Sequence, residues 1–277
     1  MYDGVEVRAT GLSLRGEHGW AYRDVTVAAA PGSLTAVTGQ AGSGRTSLLL
    51  TLAGRMKPTS GTLTVGGATT PRVIRRLAAL GLVDGVNDLD AALSVREHVR
   101  ERTPSPPWNR HRSERAEAAF ALADLDLSPG DRTLARHLGR ERRIRLGIAL
   151  ALLDRPGLLV LDNVDTGLSR DRRAALTATL RDLAGRGLTV VLSCIESDLP
   201  EQVRLPSPDA GPPHPTPDTE PPGPDADPPH SSPDAGPPLR VPGARPGPPG
   251  PEETEPGHGA DDRDGKRRDD RDEGGGR

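Results

Sequence analysis

Residues 39–47 read Gly39-Gln40-Ala41-Gly42-Ser43-Gly44-Arg45-Thr46-Ser47 and decide the fold of this chain of 277 residues. An apolar strand is predicted before them, over Ser33–Thr38, and an apolar helix after them, over Arg45–Met56. Glycines in such a turn let backbone N–H groups converge on phosphate oxygens, and the helix N-terminus adds its unpaired N–H groups and its dipole. A chance glycine-rich turn is the alternative for the stretch taken alone. The residues predicted to bind phosphate are Gly39, Gly42, Ser43, Gly44, Arg45, Thr46 and Ser47.

Two side chains of this loop and one distant carboxylate bear on its chemistry. Arg45 stands where such loops usually have lysine, so the positive charge is kept on a bulkier, planar group. Thr46 supplies a hydroxyl where Mg²⁺ would be coordinated. Leu158–Leu161 is an apolar strand that ends at Asp162, and a carboxylate at such a strand end suits the same ion. We therefore predict Thr46 and Asp162 as Mg²⁺ ligands, with an ordinary cap as the alternative for Asp162.

The rest of residues 1–200 alternates short apolar runs with segments of helical spacing. This alternation predicts an α/β domain with a largely parallel sheet, because continuous apolar strands are typical of sheets covered on both faces. Thr189–Ser193 is predicted as a further buried strand, and Leu63–Val65 and Leu80–Val83 are short apolar runs. The further helices are predicted at Ser113–Leu125, Glu141–Leu153 and Arg170–Ala184.

Charge and cysteine content exclude several classes of function. The chain has 36 Lys+Arg against 39 Asp+Glu, but residues 1–200 carry a net charge of +5 and residues 201–277 one of −8. A charge of +5, without aromatic residues among the basic ones, argues against nucleic acid as a partner. The single cysteine, Cys194, excludes an internal disulfide and fits a reducing compartment. No apolar run is long enough to span a bilayer and no secretory signal is visible, so a cytoplasmic location is predicted.

The composition changes near residue 200. Twenty of the 29 prolines lie in residues 201–277, and the segment SPDAGPP occurs at Ser207–Pro213 and again at Ser232–Pro238. Such a sequence buries too little apolar surface to offset its ordering entropy. We predict a folded domain over 1–203, with a helical subdomain at about 86–155, and a disordered tail over 204–277 that is either a spacer or an interaction arm.

Residues 5–200 resemble the ATP-binding cassette (ABC) ATPases. Besides residues 39–47 and Asp162, the resemblance covers GRMKPTSGTLTVGG at 54–67, SVREHV at 94–99 and residues 138–161, which run from the family's signature motif through a helix to the strand before Asp162. It also includes Thr166-Gly167-Leu168 at the family's D-loop. The resemblance implies a P-loop NTPase cassette that binds ATP and Mg²⁺, and the arginine-rich style is similar to actinobacterial proteins that serve a permease.

The same resemblance shows where this chain departs from the family. The catalytic glutamate falls on Asn163, whose amide cannot accept a proton from the attacking water, and losing a general base lowers the rate by about 10²–10⁴. The switch histidine falls on Ile195, the Q-loop glutamine on Gly85 and the D-loop aspartate on Ser169. We therefore predict Asn163 and Ile195 to be degenerate catalytic positions.

The family's signature motif, LSGGQ, falls on Leu138-Gly139-Arg140-Glu141-Arg142. In the family this helix start contacts the γ-phosphate bound by the opposite subunit. Here Gly139 takes the place of the motif's serine, so its hydroxyl is absent, and Glu141 would bring negative charge toward the phosphate. Two interpretations stay open. Either Arg140 and Arg142 pair with the phosphate and offset that repulsion, or a set of arginines forms a solvated basic face, namely Arg136, Arg140, Arg142, Arg143 and Arg145.

The resemblance also implies partners. It implies the ATP-binding subunit of an ABC transporter, held at the inner face of the cell membrane by a separate integral membrane permease. It further implies a homodimer, or a heterodimer with another cassette subunit. The predicted activity is binding of Mg·ATP with weak or absent hydrolysis. The alternative is a non-catalytic regulatory or scaffold protein that keeps the cassette shape.

Overall fold

The structure is a computed structural model that describes residues 1–17, 19–102 and 110–206. The predicted tail from residue 207 onward lies outside the described residues, so the domain boundary at 203 stays a prediction. The strands are β1 Val7–Gly16, β2 Gly19–Ala29, β3 Leu34–Thr38, β4 Ser60–Val65, β5 Ala78–Leu80, β6 Leu158–Leu161, β7 Thr189–Cys194 and β8 Gln202–Arg204. The α-helices are α1 Arg45–Leu52, α2 Pro71–Leu77, α3 Val95–Arg102, α4 Arg110–Leu122, α5 Arg140–Leu152 and α6 Arg170–Gly185.

A parallel sheet carries the strand that precedes the phosphate loop. Its strand order is β5-β6-β7-β3-β8, and every neighbouring pair runs parallel. Thr38 at the end of β3 lies opposite Cys194 of β7, and Leu161 at the end of β6 lies opposite Leu192. All residues of β6 and β7 are buried, as expected for strands covered on both faces. The predicted α/β fold with a parallel sheet is confirmed, and the loops after β3, β6 and β7 share one edge.

A second, antiparallel sheet of three strands, in the order β2-β1-β4, was not predicted from the sequence. Val7, Ala9 and Leu12 of β1 are buried in the same apolar cluster as Leu48 and Leu52 of α1. The Tyr22 hydroxyl of β2 donates a hydrogen bond of 2.7 Å to Thr51 Oγ1. Burial raises the pKa of the Tyr22 hydroxyl, and the hydrogen bond to Thr51 partly opposes that rise. This sheet therefore covers the helix that follows the phosphate loop.

Helices α3, α4 and α5 lie within the range predicted for the helical subdomain. Phe120 of α4 and Ile144 and Ile148 of α5 are buried in one apolar cluster that extends to β6 and β7. In the part of the chain that the structure describes, no helix has the length and apolar character that crossing a membrane requires.

Some elements differ from the sequence prediction by more than a few residues or were not predicted. Helix α1 ends at Leu52 and not at Met56, because Gly54 adopts a left-handed φ of 69°. Of the short apolar run Leu80–Val83, only Leu80 belongs to a strand, β5 at Ala78–Leu80, and the rest is loop. Strand β8, which pairs with β3 from Ala36↔Gln202 to Thr38↔Arg204, was not among the predicted elements.

Changing Tyr22 to phenylalanine tests the link between the antiparallel sheet and α1. We expect Tyr22→Phe to lower the free energy of unfolding by about 1 kcal/mol, because a buried hydroxyl–hydroxyl hydrogen bond is lost. Chemical denaturation measures this change. In the double variant Tyr22→Phe/Thr51→Val, the free energy of unfolding should fall by less than the sum of the falls in the two single variants. Full additivity would contradict the link.

Candidate functional site

The backbone of residues 39–44 is shaped by glycines that no other residue replaces without strain. Gly42 and Gly44 have left-handed φ values of 82° and 87°, and Gly44 is the N-cap of α1. A Cβ atom at Gly44 would collide with the carbonyl oxygen of Ala21 in β2. A Cβ atom at Gly39 would come within 2.6 Å of the Ser43 hydroxyl oxygen. The antiparallel sheet thus packs against the loop, which turns directly into the first N–H groups of α1.

Arg45 and Ser43 carry polar groups that are buried and unpaired. Arg45 is 7% exposed and Ser43 is 4% exposed. Among the described residues, neither Arg45 Nη1 nor Ser43 Oγ has a hydrogen-bond partner. Buried polar groups in folded proteins are nearly always hydrogen-bonded, so these two groups in one glycine-rich turn are suited to a bound ligand. A phosphate oxygen suits both, since it accepts from a guanidinium and from a hydroxyl.

The Asp162 carboxylate lies directly beside the loop. It is 4% exposed and accepts a hydrogen bond of 2.7 Å from Thr46 Oγ1 at its Oδ2 atom. Its Oδ1 atom accepts from the Ser193 hydroxyl of β7 at 2.5 Å. Thr46 and Asp162, predicted as a pair from the sequence, are therefore in contact, although 116 residues separate them. Ser193 joins them without having been predicted, because a serine inside an apolar strand gives no signal of its own.

The oxygen atoms of Thr46 and Asp162 are of the type that Mg²⁺ prefers. The described residues, 1–17, 19–102 and 110–206, contain no group of three or more His, Cys, Asp or Glu side chains that could hold a metal ion. A cation at this edge would therefore depend on one hydroxyl, one carboxylate and the oxygens of a bound phosphate or of water, as Mg²⁺ bound to nucleotides usually does. Ser47 lies in α1, where its carbonyl accepts from the Thr51 hydroxyl at 2.8 Å.

Asn163 and Ile195 occupy the positions predicted to be degenerate. Asn163 has a left-handed φ of 46°, its N–H donates to Ser193 Oγ at 2.9 Å, and its side-chain amide donates to Asp162 at 3.3 Å. It is therefore a donor to the carboxylate beside it. The Ile195 side chain is 52% exposed, and its backbone N–H donates to Asp165 Oδ2 at 2.9 Å.

Asp165 is a candidate residue that the sequence reasoning missed. It is 8% exposed, and its Oδ1 atom has no hydrogen-bond partner among the described residues. Burial, and secondarily the charge of Asp165, raise the pKa of the Cys194 thiol to about 11, so Cys194 is a neutral, unreactive thiol near pH 7. An acidic residue three positions after Asp162 was visible in the sequence, but nothing there placed it against the end of β7.

Several charged residues at the start of α5 are paired within the chain, so they do not all form a solvated basic face, while pairing of Arg140 and Arg142 with phosphate stays a prediction. Arg145 is only 4% exposed, so the solvated basic face is wrong for that residue. Its guanidinium donates hydrogen bonds to the Glu141 carboxylate, the Ala123 carbonyl and the Thr179 hydroxyl. The two arginines of the motif are also engaged within the chain, since Arg140 makes a two-bond ion pair with Asp84 and Arg142 makes one with Asp126, so each would have to leave its carboxylate before pairing with a phosphate.

Trp20 lies next to the residue that packs on the phosphate loop. Its indole ring is 48% exposed and is flanked by the guanidinium groups of Arg15, at 5.9 Å, and Arg23, at 5.5 Å. Its neighbour Ala21 carries the carbonyl oxygen that a Cβ atom at Gly44 would collide with. The exposed ring of Trp20 is therefore one residue away from Ala21, which packs against Gly44 of the loop.

Comparisons with known proteins agree on one family. The profile described as ABC transporter matches residues 22–166. The chain is 31% identical over 201 residues to the phosphonates import ATP-binding protein PhnC 2 of Rhodopseudomonas palustris, covering 67% of this chain and 69% of that protein. It is 35% identical over 176 residues to a putative ABC transporter ATP-binding protein of Streptomyces coelicolor, covering 61% of each.

Solved structures show the same fold. CbiO1 from Clostridium perfringens, part of the ABC transporter complex cbiONQ, aligns with a TM-score of 0.60 at 19% identity, over 69% of this chain and 78% of that one. The ATP-binding cassette MJ0796, solved as a dimer in a post-hydrolysis state with ADP and Pi, aligns with a TM-score of 0.58 at 20% identity. That alignment covers 69% of this chain and 88% of MJ0796.

The close packing of the loop is tested by Gly44→Ala. We expect it to lower the free energy of unfolding by about 2 kcal/mol or more, for two reasons. Alanine is strained at the left-handed φ of residue 44, and its Cβ atom would collide with the Ala21 carbonyl oxygen. Thermal or chemical unfolding measures the loss. Gly185→Ala is the matched control, since a Cβ atom there meets nothing within 4 Å, and it should be neutral or slightly stabilising. Equal effects of the two changes would refute the close packing.

Proposed function

This chain belongs to the ABC transporter ATP-binding family, as its resemblance to ABC ATPases predicted, and on that premise we propose that it binds Mg·ATP through residues 39–47. Binding would power or regulate a separate membrane permease, with weak or absent hydrolysis. The proposal divides into a phosphate-binding part, which this chain keeps, and a water-activating part, which it has lost.

The observation that carries the binding proposal is the Nη1 atom of Arg45, which is buried and has no hydrogen-bond partner in the part of the chain that the structure describes. A guanidinium that is 7% exposed and lacks a partner for one of its N–H groups is costly unless a ligand completes it. The group lies at the first residue of α1, beside backbone N–H groups that have no partner within the helix. The phosphates of ATP would be held there by the loop amides, by Arg45 and by the Ser43 hydroxyl.

Thr46 and Asp162 are proposed to hold Mg²⁺ together with the phosphates. The ion, when bound, neutralises phosphate charge. Asp162 is already ordered for that role, because Ser193 and Thr46 fix both of its oxygens. Asn163 adds a further donor to Asp162 Oδ2, which draws electron density from the same carboxylate.

Slow or absent hydrolysis is proposed because no group at Asn163 or Ile195 takes a proton. An amide and an alkyl chain have no basic lone pair near neutral pH, and the Asn163 side chain is engaged with Asp162. Asp165 carries the nearby carboxylate, but one of its oxygens is committed to the Ile195 N–H. These losses favour the second candidate function, a cassette that uses nucleotide only as a structural or regulatory ligand.

The partners are also proposed. A membrane permease would hold the chain at the inner face of the membrane, and a second cassette subunit, identical or different, would complete the dimer. The relatives' names support this: one is named for phosphonate import, and another is an ATP-binding/permease protein of Mycobacterium tuberculosis of which this chain covers 25%. The transported substrate is not carried over from them.

Calorimetric titration of the full chain with Mg·ATP tests the binding proposal. We expect saturable binding that weakens by about tenfold or more in Arg45→Ala, because a charge-assisted contact with phosphate is lost. Thr46→Ala should weaken binding of Mg·ATP more than binding of ATP in the presence of a chelator. Arg45→Lys is the matched control, since it keeps the charge and should keep binding. A folded protein that gives no heat of binding would favour the scaffold alternative.

Restoring a carboxylate at residue 163 tests the cause of slow turnover. We expect Asn163→Glu to raise ATP hydrolysis by about 10²-fold, because a general base returns beside Asp162. The left-handed backbone of Asn163 will oppose this change with about 1 kcal/mol of strain. Asn163→Gln is the control, with the same length and no base. Phosphate release measures the rate. If the two variants turn over equally, the missing base is not what limits hydrolysis.

A further inference from the structure

The start of α5 is tied to the loop after β5 by an ion pair that the family's signature motif does not contain. Arg140 Nη1 donates to Asp84 Oδ1 at 2.9 Å, and Nη2 donates to Oδ2 at 3.0 Å. The side chains are 20% and 53% exposed, and 56 residues of chain separate them. Both terminal nitrogens of the Arg140 guanidinium therefore donate to one carboxylate of the same chain.

A third segment closes around the same arginine. Gly167, in the loop after β6, has a left-handed φ of 75°, and a Cβ atom there would lie 3.6 Å from Arg140 Cγ. The Arg140 Nε atom is buried and has no hydrogen-bond partner among the described residues. Arg140 thus lies between the loop after β5 and the loop after β6. It stands at the start of α5, which by the resemblance would contact the nucleotide bound by the opposite subunit.

We propose that the Arg140–Asp84 ion pair, held between these two loops, is an internal latch that lowers the affinity of this surface for phosphate bound by a second cassette subunit. The inference rests on the proposed function, because it needs a subunit loaded with Mg·ATP. Carboxylate and phosphate use the same guanidinium fork, so Asp84 must release Arg140 before a phosphate can pair with it. Asp84 also places a negative charge beside the approaching phosphate.

The neighbouring pair Arg142–Asp126 provides an internal comparison. It has the same two-bond geometry, at 3.0 and 2.6 Å, and its side chains are 51% and 64% exposed. Both residues belong to the α4–α5 region, so this pair does not connect α5 to the loop after β5. Breaking it removes one carboxylate charge, as breaking the latch does, but leaves Arg140 bound to Asp84.

The test is the self-association of the full chain in Mg·ATP, measured by sedimentation. Asp84→Asn keeps the shape of the side chain and removes its charge, and we expect it to strengthen association in Mg·ATP about fivefold, a modest gain because Asp84 is half exposed. Asp126→Asn should leave association as it is in the unaltered chain. Adding Arg140→Gln to Asp84→Asn should abolish the gain, because the released guanidinium is the group that pairs with phosphate.

Three results would overturn the latch: no gain in Asp84→Asn, an equal gain in Asp126→Asn, or a gain that survives Arg140→Gln. Titration of the same samples with Mg·ATP separates this failure from that of the proposed function. If every variant binds nucleotide and Asp84→Asn does not gain, only the latch is wrong. If the unaltered chain and all variants bind no nucleotide, the latch falls together with the proposed function.

Discussion

The rest of the site depends on the way the Asp162 carboxylate is held. Asp162 is 4% exposed at the end of β6, where an unpaired negative charge would be strongly destabilising. Thr46 from α1 and Ser193 from β7 donate to its two oxygens, so the charge is stabilised only when three elements meet. The parallel sheet makes that meeting possible, because β3, β6 and β7 all end at one edge. The same hydrogen bonds that allow Asp162 to be buried also fix the position of α1 and of the loop before it.

The two halves of the chemistry are affected differently by the substitutions. Phosphate binding depends mainly on backbone N–H groups and on the glycines that expose them, and these are retained at Gly42 and Gly44. Water activation depends on side chains at single positions, and under the proposed function Asn163 and Ile195 stand at two of these positions. Asn163 still has a structural role, because its N–H donates to Ser193, which in turn supports Asp162. The position is therefore adapted to holding the carboxylate, while its amide cannot accept the proton of water.

The sequence was sufficient to predict the parallel sheet and the contact between Thr46 and Asp162, because both follow from local patterns at strand ends. It was insufficient for β1 and β2, whose pairing is interrupted by shifts of register between Ala9 and Leu12 and again near Leu14. Bulges of this kind break the period of two on which strand prediction rests. Ion pairs such as Arg140–Asp84 join residues far apart in the chain, and no local pattern encodes them. For the same reason Asp165 went unnoticed, since its importance comes only from the N–H of Ile195.

Glu141 shows how stability alone accounts for a residue that looks harmful to phosphate binding. Arg145 is buried in α5, where a guanidinium requires an anion close by, and Glu141 supplies one at 3.1 Å, one helical turn earlier. Arg172 of α6 approaches the other oxygen of the same carboxylate at 3.7 Å, so Glu141 also connects two helices. A glycine at position 141 would remove the negative charge from the start of α5. It would also leave the buried Arg145 with one anion fewer, so the family's signature motif cannot be restored at this position without destabilising the helix behind it.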